Sequence, residues 1–238
     1  MTNPTGPNQP SSVPAEKAGP ILPDAVYVDA CALFQLPETG EDVHKFAALR
    51  SLAERWHAKI FAPEVAVREW KQRKLEDLRN TARQLTSSWR RLSRFTDLGP
   101  LPSGLGDGLH DSVSERLDSV LERFGITIVG TPKDLDMAVI MDMAVRKVRP
   151  FEEKGEKGFR DTLILFTMVQ HMQTENTKNA LLVSGDDVFD HADVAGCLHE
   201  RGLVIVRASD FADAEDRLKN AGQYAVFADL REWSPARG

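Results

Sequence analysis

The chain is poor in the features that would place it in several common classes. It has two cysteines among 238 residues, Cys31 and Cys197, and they stand in no metal-ligand spacing. A thiolate metal site is excluded, a reducing cytoplasm fits, and both thiols are assigned packing roles. Long hydrophobic runs are lacking: 42% of residues are hydrophobic, yet the longest apolar runs fall far short of a membrane span. No membrane association is therefore expected. The first residues carry no basic-then-apolar leader of the secretory kind. There is no Walker loop, no Gly-x-Ser-x-Gly elbow and no dinucleotide fingerprint. His191 and His199 have no partner that would complete a zinc motif, and His171 reads as structural or surface.

Positive charge is also in deficit, with a formal net charge of −6. Taken whole, that argues against a nucleic-acid partner. Its distribution argues otherwise. Between Val65 and Phe95 nine basic residues face three acids, a local +6 that leaves −12 for the rest of the chain. The stripe includes Arg68, Arg73, Arg83, Arg90, Arg91 and Arg94. It is either a solvated helix face or a surface that meets a polyanion.

Residues 1–22 are rich in Pro, Ser, Gly and Asn and read as a disordered leader. Residues 23–238 read as a single α/β domain, long enough to bury a full core. Five β-branched apolar runs are predicted strands: Ala25–Val28, Lys59–Phe61, Ile126–Val129, Ala180–Val183 and Leu203–Val206. Helical patterns alternate with them, which predicts a mainly parallel sheet with helices on both faces. Pro63 opens a long helix reaching about Phe95, in which Leu75, Leu78, Ala82, Leu85, Trp89 and Leu92 form a packing seam. After a Gly/Pro-rich break, Leu109–Phe124 completes an antiparallel helical hairpin over residues 64–124. Thr131 and Pro132 open a helix reaching Val148, and Phe159–Gln173 forms the next after a charged loop.

Four acids sit at the ends of these elements. Asp29 follows the first strand, either as a helix cap or as a carboxylate facing the crevice at the sheet's carboxyl edge. Asp186 follows the fourth strand toward the same edge, with Ser184 able to bond a carboxylate or a water and Asp187 able to cap the next helix. Asp161 lies in a first helical turn, where capping and catalysis explain it equally well. Glu69 lies two turns past Pro63 and reaches the same edge, whereas Glu64 complements the helix dipole. Four carboxylates gathered together repel unless a cation joins them.

The ordered blocks Pro-Glu-Val-Ala-Val-Arg-Glu (63–69), Gly-Phe-Arg-Asp-Thr-Leu-Ile (158–164) and Leu-Val-Ser-Gly-Asp-Asp-Val-Phe (182–189), behind a strand ending in Asp29, resemble the PIN domain family. The nearest in character are its larger bacterial members with long inserted helices. The resemblance implies a three-layer α/β/α sandwich around a five-stranded, mainly parallel sheet. It also implies Mg²⁺- or Mn²⁺-dependent cleavage of nucleic acid, usually RNA, by an endoribonuclease. Carried over, the catalytic and metal-binding residues are Asp29, Glu69, Asp161 and Asp186. One departure is Val188, where the last block often has a second acid. Hard oxygen ligands suit either ion. Arg68, Lys157, Arg160 and Ser184 are candidates for substrate contact beside the site, and Arg83 and Arg90 on the basic stripe. A metal-dependent endoribonuclease is the leading expectation, a toxin-like or defence role one form it could take, with an antitoxin-like or other protein inhibitor and a homodimer as candidate partners. Two alternatives stand beside it: a PIN-like module that binds RNA or protein and cuts poorly, and a structure-specific DNA nuclease.

Overall fold

The computed structural model describes residues 22–36, 44–97, 99–100, 109–151 and 158–232. The expected leader, up to residue 21, lies outside these residues, as do Lys157 and most of the charged loop.

Strands β1 (Ala25–Val28), β2 (Lys59–Pro63), β3 (Ile126–Val129), β4 (Asn179–Val183) and β5 (Val204–Ala208) build one sheet in the order β3-β2-β1-β4-β5. Every adjacent pair is parallel. The apolar runs explain this. All four residues of β1 are buried, as are the last four of β4, and a strand covered on both faces has no place for polar alternation.

Among the described residues eight α-helices surround the sheet: α1 (Ala30–Leu33), α2 (His44–Arg55), α3 (Glu64–Leu92), α4 (Leu109–Arg123), α5 (Met137–Arg146), α6 (Phe159–Thr174), α7 (Ala192–His199) and α8 (Phe211–Glu232). Alternate residues of β1 feed two cores. Val26 and Val28 pack with Phe46 and Leu49 of α2, Trp70 of α3, Phe124 and Phe211. Phe46 meets Phe124 and Phe211 edge-on at centroid distances of 4.8 and 5.1 Å. On the other face Tyr27 and Phe61 pack with Leu165, Met168 and Met172 of α6 and Leu198 of α7. His171 belongs to this side, its Nδ1 2.7 Å from the Tyr27 hydroxyl. The result is three layers, α/β/α.

The chain lays β1, β2 and β3 outward in one direction, then returns to place β4 on the free side of β1. Connections therefore diverge from the crevice between the carboxyl ends of β1 and β4, the point in an open parallel sheet where ligands bind.

Three sequence-based expectations change. Pro63 is the last residue of β2 and the cap position of α3, one place before the helix. The helix expected from Pro132 begins at Met137, because Asp136 caps it by accepting from Ala138 N and Val139 N at 2.9 and 3.3 Å. The Thr131 amide instead donates to Glu64 Oε2 at 3.2 Å, tying β3's exit to the start of α3. The long seam of α3 closes only at its base. Leu75 is buried, and Lys71 Nζ donates to Ser114 Oγ and Asp118 Oδ1 of α4 at 3.2 and 2.6 Å. Leu78, Leu85 and Leu92 are exposed, because α4 has 15 residues against the 29 of α3.

Candidate active site

Backbone pairing sets the centre of the site. Val28 and Val183 are in register, and the Asp29 amide donates to the Val183 carbonyl at 3.0 Å. The next residues on each strand, Asp29 and Ser184, are thereby neighbours. Both are buried, at 6% and 0% exposure. The Ser184 hydroxyl donates to Asp29 Oδ2 at 2.8 Å and accepts from the Asp186 amide at 3.1 Å. Ser184 therefore ties Asp29 to the backbone of Asp186.

Asp29 fills both of its predicted roles. Its Oδ1 accepts from the Ala30 amide at 2.5 Å and caps α1, while its carboxylate lines the cavity. Asp186 likewise caps the short 3-10 helix Asp187–Asp190, accepting from the Val188 amide at 3.1 Å. Asp186 thus takes the capping role expected of Asp187, and Asp187 lines the cavity instead. His191 is the cap residue of α7. Val188 is buried in the core, so an acid there would face apolar neighbours.

Asp161 sits in the first turn of α6. Burial pushes its carboxyl up to about 6, and Asp186 and Asp29 add to the shift by like-charge repulsion. The three aspartates therefore share one electrostatic environment although they come from distant segments. Glu69 lines the same cavity. Its side chain is 14% exposed and is ion-paired with both Arg73 and Arg160.

These groups line one open cavity of about 680 Å³: Asp29, Glu69, Asp161 and Asp186 with Asp187, Arg73, Arg160 and Cys31. All four predicted acids are brought together. Arg160 is there too. Arg68 is not: it pairs with Glu64 at 2.5 Å and faces a separate cleft with Lys71 and His110. Arg83 and Arg90 are exposed far along α3.

Two residues of the site went unrecognised in the sequence. Cys31, assigned a packing role, lines the cavity: its Sγ accepts from the Gly185 amide at 3.0 Å and lies 3.3 Å from Asp29 Oδ2. Burial and the neighbouring Asp29 raise its thiol, so it stays protonated beside the carboxylate. Arg73 follows Glu69 by four residues, a spacing that pairs side chains on one helix face.

The donor chemistry suits a hard divalent cation. Carboxylate oxygens dominate the wall, and the raised Asp161 carboxyl marks negative charge in search of compensation. The ligand shell is not closed. Among the described residues no three His, Cys, Asp or Glu side chains converge tightly enough to hold an ion as they stand. No helix there is long and apolar enough to cross a membrane.

A protein-family model described as PIN domain matches residues 26–189, the span that supplies every acid of the cavity. No curated protein and no solved structure matches the chain.

Proposed function

The chain belongs to the PIN-domain family, and from that premise we propose that it is a metal-dependent endoribonuclease hydrolysing RNA phosphodiester bonds. The family is one of nuclease-type folds acting on nucleic acid; RNA, and Mg²⁺ or Mn²⁺ as the ion, are our reading for this chain. The observation that supports it is the convergence of four carboxylates from four separate segments on one cavity at the sheet's switch point.

Asp29, Asp161 and Asp186 are the residues that would hold the ion, and Glu69 completes the acidic wall. A bound divalent ion supplies charge neutralisation and activation of water for in-line attack on phosphorus. The chain's own groups do the rest. Ser184 and the Ala30 and Val188 amides fix the Asp29 and Asp186 carboxylates before substrate arrives. Asp161 must lose its proton to serve as a ligand.

Digestion of single-stranded RNA, single-stranded DNA and flap DNA under Mg²⁺ and Mn²⁺ titration tests this. RNA cleavage is expected, lost in both Asp29→Asn and Asp186→Asn with unchanged circular dichroism. Mn²⁺-dependent cleavage that survives in both purified variants removes the proposed site. The open ligand shell favours one second reading, a PIN-like module that binds RNA and cuts poorly. Tight RNA binding without cleavage at any metal concentration would select it.

A further inference from the structure

Glu69 differs from the three aspartates. Asp29 and Asp186 are fixed by backbone amides and Ser184, whereas Glu69 is fixed by two guanidiniums, Arg73 one turn along α3 and Arg160 at the start of α6. The Glu69 side chain is 14% exposed, while Arg73 and Arg160 are 53% and 57% exposed. The carboxylate is the least exposed of the three, and the two cations reach solvent. Two positive groups on one negative group give this trio a positive surplus in the cavity it shares with the three aspartates.

Donor arithmetic points the same way. Two guanidiniums offer roughly ten N–H donors, and one carboxylate has about four acceptor sites. Glu69 cannot use them all. The rigid fork of arginine matches the oxygens of a phosphate, which it grips bidentately. Both ion pairs meet Glu69 at Oε1, so an ion at that oxygen would have to displace a guanidinium.

We propose that Arg73 and Arg160 form a phosphate-binding subsite in the cavity beside the aspartates, with Glu69 as their positioning residue and not a metal ligand. The phosphate belongs to the nucleic-acid strand lying across the cavity, so this deepens, and rests on, the nuclease reading. Glu69 aligns the two forks before substrate arrives, and the strand displaces solvent from their outer donors.

Two measurements on the full chain test it. One is Mn²⁺ binding without nucleic acid, read from the electron paramagnetic resonance of free Mn²⁺. The other is binding of a fluorescein-labelled single-stranded RNA oligonucleotide in EDTA, by anisotropy over a range of salt. The variants are Arg73→Gln, Arg160→Gln, Glu69→Gln and Asp186→Asn, with thermal melts as the fold control. Each arginine variant leaves Glu69 one cationic partner, so the buried carboxylate is not stranded.

Each arginine variant should bind RNA roughly tenfold more weakly, the scale of one charge-assisted bond. Its slope of log affinity against log salt should shrink by about 0.7. Mn²⁺ binding should stay unchanged. Glu69→Gln should weaken RNA binding in EDTA while keeping Mn²⁺ affinity, and Asp186→Asn should do the reverse. A fall in Mn²⁺ affinity in Glu69→Gln as large as in Asp186→Asn overturns the assignment of Glu69. Unchanged RNA affinity and slope in both arginine variants overturns the subsite. If Asp186→Asn itself leaves Mn²⁺ binding intact, the metal reading fails separately, and the arginine slopes still decide the subsite.

Discussion

Asp161 bears the electrostatic strain of the site. Its carboxyl titrates near 6 in the folded protein, against an ordinary value of 3.8. The folded state therefore binds this proton more tightly than the unfolded chain does. Stability should fall as pH rises from about 4 to about 6, and the whole penalty is present above that window. A shift of this size corresponds to roughly 3 kcal/mol at full strength. Partial solvent contact reduces it to on the order of 1–2 kcal/mol. Asp161→Asn keeps the shape and removes the charge. In EDTA at pH 7.5 it should melt higher, by about 2–4 °C per kcal/mol for a chain of this size, and the gain should shrink at pH 4.5. Equal melting gains at both pH values would show that charge is not the cause. At the residue scale the sequence located some of the cavity's lining groups and not others. Strand ends and first helical turns pointed to Asp29, Asp161 and Asp186, because those positions face the crevice whatever the packing. Cys31 could not be read, since its role depends on the pairing that brings Gly185 beside it. Arg68 is the expected phosphate contact on this helix, but Arg73 lines the cavity in its place. One helical step rotates a side chain by about 100°, whereas four steps return it to the same face.

At the scale of elements, the strands were legible because burial on both faces leaves them continuously apolar, and all five lie within a residue or two of expectation. The α3 seam was read correctly as a period but not as a contact. Periodicity tells which face is apolar; only the length of the partner tells how much of it is covered, and α4 stops short. The junction before α6 has a stricter requirement. Gly158 caps this helix with φ of +105°, a backbone conformation L side chains rarely adopt. A Cβ added there would collide with the Pro150 carbonyl and lie 2.7 Å from Phe151 Cα. The turn that follows carries both Arg160 and Asp161. Gly158→Ala should therefore destabilise the fold by about 1–3 kcal/mol through backbone strain. It should also lower activity at temperatures well below the new melting point, because the two side chains shift together. A variant that melts lower yet keeps full activity at 15 °C would separate the cap from the placement of the site.

For the whole molecule, the formal charge of −6 conceals two regions of opposite sign. The cavity is acidic, and the far end of α3 with the turn after it is basic, with Arg83, Arg90, Arg91 and Arg94 all open to solvent. Distance keeps them independent. Arg90 is 21 residues beyond Glu69 on one continuous helix, about 32 Å at ~1.5 Å per residue. Screening at physiological salt acts over about 8 Å, so these arginines cannot tune the carboxylates through the field. If they serve the reaction, they do so by touching the strand. That gives a prediction separate from the arginines of the cavity. Changing Arg83, Arg90, Arg91 and Arg94 to Gln should weaken binding of a long single-stranded RNA and flatten its salt slope by about 0.7 for each phosphate left without its arginine. Binding of an oligonucleotide too short to leave the cavity should not change. Equal weakening of both would mean that the helix itself is perturbed. No weakening of either would assign the arm to a protein surface, with the uncharged stripe of Leu78, Leu85 and Leu92 as its docking face. The short-against-long comparison is the decisive one, because only binding along the strand makes affinity depend on its length.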